Sequence, residues 1–120
     1  MPRANKGFIR LDYDQMCILG GAVDVWGEDA QSRMAIEEMA ELTKELCKHY
    51  RGEVNQASII DECADVMITV AQVACIYAPS FSPEQLNEAI EIKMARLKDR
   101  LHPPDVIEIK RGKGRPSVED

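Results

Sequence analysis

IEEMAELTKELCKHYRGEVNQASIIDECAD, running from Ile36 to Asp65, carries an acidic pair on either side of a turn signal. Glu38 and Glu41 precede Arg51-Gly52; Glu62 and Asp65 follow it. Each pair is spaced i, i+3, which on a helix puts both side chains on one face about a turn apart. Two such helices folded back on each other gather four carboxylates, the outline of a metal site.

The two halves of this stretch differ in character. At about 100° per residue, a helix over 28–50 has an apolar face of Ile36, Met39, Ala40, Leu42, Thr43, Leu46, Cys47 and Tyr50. Glu37, Glu38, Glu41, Lys44, Glu45 and Lys48 share the opposite face, which taken alone is compatible with simple solvation. A third helix over 56–77 is apolar around most of its circumference, with a polar stripe of Ser58, Asp61, Glu62, Asp65, Thr69 and Gln72. A helix of that kind is expected to be buried nearly all round, so its acids should face something inside the assembly; exposure of the stripe to solvent is the alternative.

Outward from this hairpin, Met16, Ile18, Leu19, Ala22, Val23 and Trp26 recur at near-helical spacing, with Asp12 as N-cap and Gly27 as the terminator. Gly20-Gly21 weakens that first helix or admits a close neighbour. After Pro79, Ser82-Pro83-Glu84-Gln85 reads as an N-cap Ser, a Pro at the first helical position and a Gln in capping-box register. The fourth helix runs to about Leu101, with Leu86, Ile90, Met94, Leu97 and Leu101 expected inside, and stops at His102-Pro103-Pro104. The expected fold is all-α, a four-helix core over 12–102 completed by homo-oligomerisation. An N-terminal arm over 1–11 and a C-terminal tail over 103–120, with a short alternating segment at Val106, Ile107 and Ile109, show no core period.

A chain of 120 residues is one domain with a small core. A net charge of -6 argues against a nucleic-acid polymer held on a broad basic surface and suits a protein that collects carboxylates for a cation. The four cysteines have no CxxC spacing and no secretory signal precedes them, so they read as small buried hydrophobes in a cytoplasmic protein. The longest apolar run, Val66 to Ala78, falls well short of the roughly 20 residues that span a bilayer, so no membrane partner is expected.

Carboxylate oxygens are hard ligands, and a set without His or Cys favours Mg2+, with Mn2+ possible, over zinc, copper or iron-sulfur chemistry. A helical di-iron site would pair Glu with His at i+3, whereas positions 41 and 65 are Glu and Asp. Carboxylate-held Mg2+ keeps sites for water and substrate phosphate, which implies a phosphorylated small molecule as partner. No Walker A loop or GxGxxG occurs, leaving Lys44, Lys48, Lys93, Arg96 and Arg100 as cations for the phosphates.

Glu37-Glu38-x-x-Glu41 followed by Glu62-x-x-Asp65 resembles the EExxE...ExxD signature of the MazG-like nucleoside triphosphate pyrophosphohydrolases, in the all-alpha NTP pyrophosphatase superfamily. Ala64-Asp65-Val66 within an apolar helix and a closing helix of the form KxxRLxxRL, Lys93 to Leu101, add to the likeness, which covers about residues 15–101. The resemblance implies a dimeric or tetrameric Mg2+ enzyme that hydrolyses an NTP or dNTP to the monophosphate and pyrophosphate, in nucleotide-pool control or housecleaning. It makes Glu38, Glu41, Glu62 and Asp65 the metal ligands, and Glu37 either the group that orients or deprotonates the attacking water or a support for the site. Trp26 and Gln31 become candidates to stack on or hydrogen-bond to the base, although Trp26 is equally readable as a core anchor. Lys44, Lys93 and Arg96 are candidates for phosphate, against an i, i+3 pair with Glu41 for Lys44 and a solvated helix end for the other two. Two other readings stand beside this one. They are a dUTPase-like member of the same superfamily and a non-catalytic helical interaction module whose carboxylates pair with a partner.

Overall fold

The computed structural model describes residues 10–102; the arm over 1–9 and the tail over 103–120 lie outside the described residues. Four helices follow in order, α1 (Tyr13–Trp26), α2 (Glu28–Tyr50), α3 (Gln56–Tyr77) and α4 (Glu84–Leu101), and there is no strand among the described residues. The described part of the protein is all-helical, as the periodicity predicts.

Local chemistry sets the boundaries. Asp12 accepts from the Gln15 backbone N–H at 2.8 Å while the Gln15 side chain accepts from the Asp12 N–H at 3.0 Å, so two otherwise unpaired donors are satisfied reciprocally. Gly27, at φ 95°, closes α1 and opens α2 in a conformation that side chains disfavour. Arg51 caps α2, and Gly52 at φ 105° turns the chain. At α4 the register is one residue later than expected. Pro83 occupies the N-cap position, and Ser82 Oγ accepts from the Glu84 N–H at 3.1 Å.

Leu19 and Ala71 form the buried centre, with Leu11, Phe81 and Leu86 packed against them. Leu11, assigned to the arm by its lack of period, is therefore part of the packing. The close neighbour of the Gly20-Gly21 pair is the Phe81 ring, which lies 3.6 Å from where a Gly20 Cβ would stand. Phe81 holds φ 45° to bring its ring there. Gln72, itself buried, donates from Nε2 to the Leu19 carbonyl at 3.2 Å and ties α3 to α1.

The most extensive helix contact is between α2 and α3; α1 rests on α2, and α4 touches α3 sparingly. Within this hairpin a stripe of mixed polar and apolar side chains turns inward. Gln31, Ala35, Glu38, Leu42 and Glu45, alternating by four and three, are buried or half-buried on α2, with Ser32 and Lys48 half-buried beside them, and Ile59, Glu62, Val66, Thr69 and Val73 alternate likewise on α3. The apolar face expected to be covered stays open in the single chain, with Ile36 63% and Tyr50 86% exposed on α2. The expectation that α3 is buried nearly all round is met on one side only, because Ile60, Met67 and Ile68 are exposed. Along α4, Leu86 and Ile90 are half-buried, but Met94, Leu97 and Leu101 are exposed because this half of the helix finds little to pack on. Of the cysteines, only Cys75 is fully buried; Cys17 and Cys47 are exposed.

Candidate metal centre

Glu38 on α2 and Glu62 and Asp65 on α3 each present a carboxylate oxygen to one spot, all three within 4.8 Å of one another. The i, i+3 spacing of Glu62 and Asp65 puts both on one side of α3, and the antiparallel turn brings Glu38 across from them. Glu41 stands outside this trio. It pairs instead with Lys44 Nζ at 3.2 Å, the local ion pair that competes with a phosphate role for that lysine. Glu37 is exposed beside Glu38.

Glu62 is the centre of the electrostatics. Its Oε1 is buried and has no hydrogen-bond partner. Burial pushes its pKa up, and the negative charges of Asp65, Glu38, Glu41 and Glu45 push it further in the same direction. A carboxylate oxygen out of water without a donor, surrounded by like charge, is an unfavourable arrangement that a cation would relieve. The donor set is all oxygen and suits a hard divalent ion such as Mg2+ or Mn2+. Glu38, Glu62 and Asp65 would hold it.

Two residues of this region have roles that the sequence did not assign: Glu45, and Asn55, whose place before Gln56 predicts only an N-cap for α3. Glu45 falls on the face read as solvated, yet it is 8% exposed. Asn55 stands where an N-cap belongs, yet its side chain does not cap α3. Instead its Nδ2 donates to the Glu45 carbonyl at 2.9 Å and to Glu45 Oε1 at 2.8 Å, while Lys48 Nζ reaches Glu45 Oε2 at 3.2 Å. These bonds to Asn55 and Lys48 hold the Glu45 carboxyl below its ordinary pKa. The available signal was the spacing: Gln31, Glu38 and Glu45 recur every seven residues and so share one stripe of α2.

Trp26 and Gln31 line one open cleft of about 370 Å³ together with Ala30 and Met34. Trp26 is 65% exposed there, which removes its reading as a core anchor within this chain, whereas Gln31 is buried. Gln31 precedes Glu38 by seven residues, about 10 Å of helix rise along the same stripe. Lys93 and Arg96 lie exposed on α4. No described helix is long and apolar enough to cross a membrane.

Compared with protein-family models, with curated proteins and with solved structures, the chain matches none.

Proposed function

We propose that this chain is a Mg2+-dependent nucleoside triphosphate pyrophosphohydrolase that converts an NTP or dNTP to the monophosphate and pyrophosphate. The observation that carries the reading is the convergence of Glu38, Glu62 and Asp65 around a buried Glu62 oxygen with no donor. The spaced signature to which those residues belong supplies the reaction class.

On this reading Glu38, Glu62 and Asp65 hold the ion, and Glu41, one turn from Glu38, adds negative charge beside it. Held there, Mg2+ would supply Lewis-acid polarisation of the α-phosphate, charge neutralisation on the departing pyrophosphate and a water of lowered pKa. Glu37 is the candidate to accept the proton of the attacking water, whose oxygen bonds to the α-phosphorus as the bond to pyrophosphate breaks. The Trp26–Gln31 cleft takes the base, with the indole as a stacking surface and the amide as a hydrogen-bonding edge. Lys93 and Arg96, exposed on α4, are the candidates to meet the phosphates. The exposed apolar side chains of α2 and α3 support a homo-dimer or homo-tetramer.

A screen of pyrophosphate release over canonical and modified NTPs and dNTPs with Mg2+ tests activity and base choice together. Turnover is expected with at least one nucleotide and is expected to vanish in Glu38→Ala and Asp65→Ala while helical content is retained. Undiminished turnover in either variant would sink the assignment, and the absence of any turnover would favour the interaction module.

A further inference from the structure

The Glu45–Asn55 contact repeats the geometry of the acidic centre one step along the hairpin. Glu45 lies seven residues after Glu38 on α2, and Asn55 lies seven residues before Glu62 on α3. Because the helices run antiparallel, the pair Glu45/Asn55 and the pair Glu38/Glu62 are successive rungs of one ladder, about 10 Å apart. We infer that Asn55 is a positioning residue whose double hydrogen bond to Glu45 fixes the register of α3 on α2, and thereby sets Glu38 opposite Glu62 and Asp65.

Three features of the contact fit a register device better than a helix start. Asn55 occupies the N-cap position of α3 but leaves the α3 backbone uncapped, so the local use of its side chain is given up for a bond across the turn. Its Nδ2 meets two acceptors of one residue, a carbonyl and a carboxylate, and neither can donate; the amide orientation is thereby fixed. Glu45 is in turn gripped by Lys48, so the acceptor is itself held in place. A slip of one helical turn would move Glu38 by about 5 Å relative to α3, enough to break up the oxygen cluster. The effect on register stands independently of any bound ion. The effect on cation binding rests on the metal reading above.

Asn55→Asp separates the two roles, since Asp is a good N-cap but cannot donate to Glu45. Glu45→Gln is the conservative control, because the Gln carbonyl still accepts from Asn55. Spin labels at the exposed positions Arg33 and Ser58, with the four native cysteines changed to alanine, report the register as a distance between α2 and α3. Asn55→Asp is expected to keep its far-ultraviolet helix signal while that distance broadens or shifts by up to about 5 Å. Glu45→Gln is expected to keep the native distance. In parallel, Mn2+ uptake followed by electron paramagnetic resonance is expected to weaken at least about tenfold in Asn55→Asp and to survive in Glu45→Gln. A native distance in Asn55→Asp would overturn the inference whatever the Mn2+ result. Failure of the unmodified protein to take up Mn2+ would overturn the metal reading and leave the register to be judged by the distances.

Discussion

At the scale of single residues, two glutamates on the hairpin have their pKa values moved in opposite directions. Glu45 is held ionised by Asn55 and Lys48, so it contributes stability above the ordinary carboxylate range and loses that contribution as the pH falls through its lowered pKa. Asn55→Ala is therefore expected to lower the melting temperature by roughly 5 °C at pH 7 and by clearly less at pH 3, measured by circular dichroism. An equal loss at both pH values would mean that the charged hydrogen bond is not its source. Glu62 behaves the other way. Burial and its acidic neighbours raise its pKa, so without metal the fold is favoured below the ordinary range and loses stability as the pH rises through the raised value. At pH 7 Glu62→Gln is expected to melt a few degrees above the metal-free native protein. Millimolar Mg2+ should raise the melting temperature of the native protein and leave that of the variant nearly unchanged. A native protein indifferent to Mg2+, with and without nucleotide, would argue against the cation.

At the scale of elements, two neighbouring positions of α1 make contrasting predictions. A Cβ at Gly20 would stand 3.6 Å from the Phe81 ring, an ordinary contact, while alanine is the better helix former. Gly20→Ala is expected to stabilise the protein by up to about 1 kcal/mol in urea unfolding. Next to it, Leu19→Ala opens a cavity at the centre of the core and is expected to cost about 3 kcal/mol by the same measurement. The element boundaries were legible because their causes are local: the Asp12 capping box, Gly27, Arg51-Gly52, and Ser82-Pro83 act within a few residues of where they stand. The packing of α4 was less so. Its apolar residues recur at helical spacing, but spacing says nothing about whether a neighbour is there to cover Met94 and Leu101.

At the scale of the whole molecule, the single chain leaves much apolar surface uncovered, including Ile36, Met39 and Leu46 on α2 and Ile60 and Ile68 on α3. Association that buries these side chains would remove apolar surface that the hairpin leaves outside. Sedimentation is expected to give a dimer or tetramer at micromolar concentration. Ile60→Glu, which places a charge where an apolar contact is expected, should raise the concentration at half-dissociation about tenfold or more. A monomer in the unmodified protein would remove the oligomer from the proposal.

The sequence by itself determined the four helices, their ends to within about a residue and the co-facing of Glu62 with Asp65, because caps, breakers and the 3.6-residue period are properties of neighbouring residues. Only the tertiary structure decided which side of α2 meets α3. Periodicity gives a helix two faces but not the partner of either, and a stripe that takes Glu38 and Glu45 from the polar face and Leu42 from the apolar one makes the contact here. That choice brought Glu38 to Glu62 and Asp65, left Glu41 to pair with Lys44, and buried Glu45 against Asn55. Whether residues share a helix face depends on their spacing, but whether they meet across two helices depends on register, which is set by contacts between residues far apart in the helical pattern.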